Sequence, residues 1–222
     1  MARKLELWRT GAMYTLGEAA HLAGVSVPTV KRWLQGYKTS YGITPPVFGN
    51  AYDLPLVSFL QLIEIVIASR FRTRHVSLRK VTTAYANARE RYQVEYPFAR
   101  LQMEVWVGHI FDMMQAQDYS SLPSLDTPGL QTLPGLVQEA LESIDYEDGL
   151  ASRWYPKGKT IPIVVDPRFA AGLPTIEHRG ITIEHIRTRF KAGQSISFIS
   201  RDLELQRNQV EQAIRYADEV AA

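Results

Sequence analysis

Between Thr15 and Gly36 the sequence TLGEAAHLAGVSVPTVKRWLQG folds two short helices around one tight turn. Thr15, with Glu18 three residues on, is the capping-box pattern for a helix over 15–23. Gly24 ends that helix and Val25 occupies the turn. Ser26 then caps a second helix, and Pro28 in its first turn costs little because that N–H has no partner anyway. Gly36 stops it. Leu16, Ala19, Ala23, Val25, Val30 and Leu34 fall at the offsets that bury the inner side of such a pair, and Ala20 and Gly24 are small enough for close approach. The outer side of the second helix presents Ser26, Val27, Thr29, Lys31 and Arg32. A helix-turn-helix inserts that side into the major groove, where Ser26, Thr29, Lys31 and Arg32 suit base edges and phosphates. The expected reading helix runs from about Ser26 to Gln35. A plain helical hairpin would share the capping and the turn, but it leaves the local charge without a purpose.

The net charge of +2 conceals a segregation along the chain. Residues 1–100 hold fourteen Lys and Arg against six Asp and Glu, residues 101–160 hold three against nine, and residues 161–222 hold eight of each. A basic first segment is expected to meet a polyanion, here double-stranded DNA. With no cysteine, the chain has no disulfide, thiolate nucleophile or Cys-ligated zinc. The N-terminus MARKLELWRTGAM lacks the apolar core of a signal peptide, and the apolar stretch Leu54 to Ala68 is too short to span a bilayer. A cytoplasmic, non-membrane protein is expected.

Residues 37–52 read as a hairpin wing containing Pro45-Pro46. Helices are expected at about 54–73 and 77–92, the first from Leu56, Phe59, Leu60, Ile63, Ile67 and Phe71 at helical spacing. Phe98, Leu101, Met103, Val105, Val107 and Phe111 suggest two short strands paired near Gly108, followed by a turn-rich linker at 117–130. A helix at 134–146, a strand at 161–165 and helices at about 182–191, 196–203 and 207–220 complete the pattern. The expected fold is mainly α with a small β component. An N-terminal winged helix-turn-helix domain occupies 1–94, an acidic α+β linker region 95–160, and a C-terminal helical domain with a second helix-turn-helix 161–222.

That second motif is an internal echo. A shift of 180 positions places Thr15 on Ser195, Leu16 on Ile196, Ala19 on Ile199, Ala23 on Leu203, Val25 on Leu205, Val30 on Val210 and Leu34 on Ile214. Glu204 and Gln206 stand where the first copy has Gly24 and Ser26. The outer side of its second helix carries Arg207, Asn208, Gln209, Glu211, Gln212 and Arg215. That side is nearly neutral, which favours protein contact or dimerisation over phosphate attraction.

Two resemblances follow from these residues. YTLGEAAHLAGVSVPTVKRWLQG, the wing, Tyr52-Asp53-Leu54, the long helix and His75-Val76-Ser77-Leu78 resemble a MerR-type winged helix-turn-helix over roughly 13–90. Gly49-Asn50-Ala51 stands where that family carries an arginine before the wing-end tyrosine, and Pro28 where an arginine often opens the reading helix. Lys38, Arg70, Arg72 and Arg74 are the cations expected to take over phosphate contacts. Asp166-Pro167, Gly172, Pro174, Arg179, Gly180, Gly193 and Val210 resemble the helical family called domain of unknown function 433. Head, central Trp154-Tyr155-Pro156 and tail together resemble the larger VapB-type antitoxins. The resemblance implies a type II antitoxin that neutralises a PIN-like ribonuclease toxin and represses its own operon. The toxin contact is expected from the acidic linker and the C-terminal domain, with Arg201, Arg207 and Arg215 as candidate donors to the nuclease carboxylates. A homodimer is expected, since one reading helix covers few base pairs.

No catalytic set is expected. His178, Glu184 and His185 have ligand-like types, but adjacent side chains on a helix diverge by about 100°. Asp145, Glu147 and Asp148 read as a solvated face or a contact for a basic partner. Neither a cofactor nor a metal is implied. The alternatives are a one-component, ligand-sensing regulator of MerR type, with Tyr85, Tyr92, Tyr96 and Trp106 lining a pocket, and a scaffold using both motifs for protein contact.

Overall fold

A computed structural model describes residues 6–40, 42–48, 56–101, 103 and 133–221. Its centre is helix α4, Phe59–Thr73, whose first ten residues and Phe71 are all buried. A helix apolar on every side needs neighbours on every side. Around α4 stand the short α1 (Leu7–Thr10), α2 (Leu16–Ala23), α5 (Leu78–Tyr92), a 3-10 turn at Pro97–Ala99 and α6 (Leu133–Glu142). The helix begins at a buried capping box, in which the Ser58 amide donates to Gln61 Oε1 (2.8 Å) and the Gln61 amide to Ser58 Oγ (3.3 Å). These bonds let a polar pair start a helix inside the core.

Among the described residues the β component is four two-stranded antiparallel pairs. Strand β1 (Tyr14–Thr15) pairs with β4 (Leu56–Val57), fixing the entry of α2 beside that of α4. The wing is β2 (Tyr37–Thr39) with β3 (Gly42–Thr44), registering Lys38 opposite Ile43. Strands β5 (Ile144–Glu147) and β6 (Leu150–Trp154) form a hairpin, and β7 (Ile163–Val164) pairs with β8 (Thr175–Ile176). Helices α7 (Ile183–Lys191), α8 (Ile196–Asp202) and α9 (Arg207–Ala221) close the chain. The fold is mainly α with a small β component, and among the described residues no helix is long and apolar enough to cross a membrane.

Two expectations for the central segment change. The helix expected over 134–146 ends at Glu142, and the chain turns at Ser143 into β5. The cause is Asp148-Gly149, whose φ values of 54° and 76° make the tight turn that pairs β5 with β6. Phe98, expected in a strand, lies in the 3-10 turn opened by Pro97, although Arg100 still bridges to Leu150. The expected turn near Gly108, the linker at 117–130, the wing end at Gly49 to Tyr52, and Trp106 lie outside the described residues.

Two cores result. The larger runs from Tyr14 through α4 and α5 to Phe98, Met103, Ala140, Ile144, Leu150, Trp154 and Val165, so the central segment shares the core of the N-terminal helices. A line of edge-to-face rings threads it: Trp33 to Phe48, Phe48 to Tyr85, Tyr85 to Phe98, and Phe98 to Phe71. The smaller core gathers Ile163, Ile176, Ile183, Ile186, Ile199, Leu205, Val210 and Ala213. Trp154 and Val165 exchange both backbone hydrogen bonds (3.0 and 2.8 Å) where the two cores meet.

Candidate nucleic-acid interface

The first helix pair is built as its local chemistry requires. Thr15 Oγ1 accepts from the Glu18 amide (3.1 Å), and Glu18 Oε2 accepts from the Thr15 amide (2.8 Å). Gly24 takes φ 64°, and the Val25 amide reaches back to the Ala20 carbonyl at 3.0 Å. That geometry is the left-handed helix ending that glycine makes without steric cost. Ser26 Oγ then accepts from the Thr29 amide (3.3 Å), starting α3 (Val27–Gln35).

Helix α3 has two unlike sides. Val30, Trp33 and Leu34 are buried, while Ser26, Val27, Lys31 and Arg32 are exposed and Thr29 is half-buried. Arg32 Nε donates to the Pro28 carbonyl (3.2 Å), so the guanidinium lies along the helix. At the far end Gly36, φ 71°, has the Thr44 carbonyl oxygen only 2.5 Å from where a Cβ would sit. The Val47 amide bonds the Trp33 carbonyl (2.8 Å), tying the returning wing to α3. Lys38 is exposed on the wing beside it, and Ile43 opposite is 75% exposed. Ser26, Thr29, Lys31, Arg32 and Lys38 therefore come together on α3 and its wing.

Arg70, Arg72 and Arg74 occupy another setting, the last turn and cap of α4. Arg70 Nη1 donates to Ser143 Oγ (3.0 Å), and burial lowers its pKa from the ordinary arginine value. Arg72 Nη1 donates to the Val76 carbonyl (2.7 Å), and Arg74 meets Glu139 at 3.4 Å. Cations in the last turn also complement the helix dipole.

The C-terminal pair repeats the backbone turn of the first but not all of its side-chain caps, since Phe198 stands where Glu18 completes the first capping box and the Gln206 amide donates to Gln209 Oε1. Ser195 Oγ accepts from the Phe198 amide (3.2 Å) as the cap of α8. Glu204 takes φ 52° where the first copy has Gly24, and the Leu205 amide reaches the Ser200 carbonyl at 2.9 Å. Ile199 and Val210 are as fully buried as Ala19 and Val30. Arg201, Arg207 and Arg215 are exposed, with Arg207 Nε bonded to Glu211 (2.9 Å) on the same helix. His178 is exposed, Glu184 is engaged by Arg187 and Thr188, and Thr182 caps the His185 amide.

A seam fixes one pair against the other, and sequence reasoning missed most of it. Asp166, 5% exposed, accepts the Arg168 guanidinium through both oxygens (2.9 Å each), while Arg168 Nη1 reaches Glu147 (2.9 Å). Trp8 carries the Arg168 and Arg9 guanidiniums against its ring, at 4.9 and 4.3 Å from the centroid. Buried Arg9 also donates to the Glu147 carbonyl (3.0 Å). Asp145 is held below the usual carboxylate range: against the desolvation that would raise it, Lys159, Tyr155 and Arg153 favour its charge. So the carboxylates of Asp145 and Glu147, expected on a solvated face or as a contact for a basic partner, form ion pairs within the chain.

The second clasp is a left-handed turn. Ala170, Ala171 and Gly172 have φ of 48°, 52° and 72°, and Tyr14 Oη donates to the Gly172 carbonyl at 3.1 Å. A Cβ on Gly172 would lie 2.1 Å from Tyr14 Oη and 2.6 Å from Met13 Sδ. Gly172→Ala is therefore expected to cost about 2–4 kcal/mol of stability. Tyr14→Phe in the same chain should recover part of that loss, because it removes the nearest clashing atom. Thermal unfolding of the two single variants and the double variant checks this; a neutral Gly172→Ala contradicts the packing.

Residues 163–217 match the family model described as "Protein of unknown function (DUF433)". The chain is similar to the uncharacterized protein Rv2308 of Mycobacterium tuberculosis, strain ATCC 25618 / H37Rv. They are 25% identical over 214 residues, which span 92% of this chain and 89% of that protein. The fold is similar to the crystal structure of Rv2018 from Mycobacterium tuberculosis, with a TM-score of 0.69 at 16% identity, covering 91% of this chain and 97% of that one. Asp166, Gly172 and Val210, the motif positions with a buried role at the seam and in the smaller core, lie within the matched segment, and residues 163–217 are a DUF433 domain.

Proposed function

We propose that the chain is a type II antitoxin that binds operator DNA through α3 and its wing and masks a PIN-like ribonuclease with its C-terminal part. One observation carries the DNA half: Ser26, Thr29, Lys31, Arg32 and Lys38 share an outer surface whose inner side, Val30, Trp33 and Leu34, is anchored in the larger core. A rigid helix with an exposed cationic side and a wing beside it suits major-groove entry with flanking phosphate contacts. Two such helices in a symmetric dimer would address half-sites about 34 Å apart or a multiple of that.

The toxin half rests on the sequence resemblance to VapB-type antitoxins and on the nearly neutral outer side of α9. Exposed Arg201, Arg207 and Arg215 can reach a nuclease's metal-binding carboxylates, since the Arg207–Glu211 pair is solvent-exposed and weak. Co-expression with the product of the neighbouring gene tests this half. The two are expected to co-purify, and the complex should lack the ribonuclease activity that the partner shows alone. Separate elution of two folded proteins contradicts the antitoxin reading while leaving the DNA half standing.

A further inference from the structure

Helix α3 has no cation at its opening end. Ser26, Val27, Pro28 and Thr29 begin it, and its cations start only at Lys31. In a docked helix-turn-helix those opening residues meet base edges while the preceding helix crosses the backbone of the duplex. Beside that end of α3 lies an open cleft. One wall is the end of α2 and the turn after it, where His21, Gly24 and Ser26 are exposed. The other wall comes from the C-terminal half of the chain, where Lys157 and Glu219 are exposed.

Lys157 is presented by a braced turn. The Gly158 amide donates to the Tyr155 carbonyl (3.0 Å), with Pro156 at the corner position that its fixed φ favours. Trp154 and Tyr155 before it are buried, and Tyr155 Oη is 2.8 Å from Glu177 and 3.1 Å from Asp145. Glu219 stands on α9, three residues beyond the buried Tyr216. The Lys157 ammonium and the Glu219 carboxylate form an ion pair, with both side chains more than a third exposed. So open a pair adds little stability, and a phosphate can displace the carboxylate at small cost.

We propose that Lys157 is a DNA-phosphate contact supplied by the C-terminal half of the chain, and that Glu219 is a brake on it. The inference rests on the reading of α3 as the DNA-binding helix. Docking brings the backbone that α2 crosses to the mouth of the cleft, and Lys157 leaves Glu219 for a phosphate there. Its flexible four-carbon stem covers the shift while the braced turn stays still. The Trp154-Tyr155-Pro156 segment thereby positions the cation that α3 lacks at its start. Glu219 opposes binding because it competes for Lys157 and stands close to an anionic strand.

The test titrates the full chain against the duplex upstream of its own coding sequence at several salt concentrations. Lys157→Gln is expected to weaken binding about fivefold and to flatten the salt slope by about one, whereas Lys157→Arg retains both. Glu219→Gln is expected to bind about threefold more tightly, a gain that damaged folding cannot produce. Glu211→Gln is the matched control, because it opens the exposed Arg207–Glu211 pair on the same helix. Position 211 lies about 12 Å along α9 from position 219, beyond the screening length of about 10 Å at about 0.1 M salt, so its affinity should not change. Parental affinity and slope in Lys157→Gln, or no gain of Glu219→Gln over Glu211→Gln, overturns the proposal. Either result leaves α3 as the reading helix if Lys31→Ala with Arg32→Ala still weakens binding. A duplex that the unaltered chain does not bind at low salt overturns both.

Discussion

Replacing Lys31 and Arg32 together by alanine is expected to weaken operator binding on the order of a hundredfold at moderate salt, while leaving the fold intact. Both side chains are exposed on α3, and neither forms an ion pair among the described residues; Arg32 donates to the Pro28 carbonyl of its own helix. Each lost phosphate contact removes close to one released counterion, so the slope of log affinity against log salt should flatten by about two. Lys38→Ala on the wing should weaken binding by less and flatten the slope by about one. Arg70→Ala makes a useful contrast. Its guanidinium is turned onto Ser143, so the variant should lose stability more than DNA affinity. Salt titrations of binding together with unfolding curves separate the two kinds of effect.

The second large effect concerns Glu64, 1% exposed in the middle of α4 and wholly inside the larger core. Burial pushes its carboxyl up to about 8, against the hydrogen bonds from the Tyr85 hydroxyl and the Phe98 amide and the more distant charges of Arg89 and Arg100. The folded chain therefore binds a proton there that the unfolded chain, at its ordinary value of 4.5, releases. The stability this proton supports is fully present below about pH 4.5 and falls by about 1.4 kcal/mol per pH unit until about pH 8. Glu64→Gln keeps the shape and an acceptor for Tyr85 but cannot ionise. Its stability should show a flatter pH profile across that window, and by pH 8 it should exceed the parent chain by several kcal/mol. Parallel profiles for the two proteins would contradict the buried neutral carboxyl.

Local chemistry carried the helix pairs. The Thr15–Glu18 box, Gly24, Ser26 and Gly36 are determined within a few residues of themselves, and the structure uses each as its chemistry suggests. The echo at 195–217 was readable for the same reason, even with Glu204 in a conformation that glycine holds in the first copy. The β5–β6 hairpin was equally local and was overlooked: Asp148-Gly149, flanked by Ile144, Tyr146, Leu150 and Trp154, is a strong hairpin signal. Reading the acidic run as one helix hid it.

The seam was illegible for a different reason. Arg9 meets Glu147 across 138 positions and Tyr14 meets Gly172 across 158, and no periodicity links residues so far apart. The turn at Ala170 and Ala171 has positive φ on residues whose Cβ disfavours it, so no turn rule selects it. Basic residues mislead in the same way. Arg70 and Arg9 count toward a polyanion-binding segment by charge alone, yet both side chains serve the interior.

Footprinting of the DNA upstream of the chain's own coding sequence tests the central claim most directly. The account predicts two protected half-sites on one face of the duplex, spaced by about one helical turn or a multiple, with protection lost as salt rises and in the Lys31→Ala, Arg32→Ala variant. Absence of protection at low salt, or a footprint that the double variant leaves unchanged, would contradict the assignment of α3 as the helix that reads DNA.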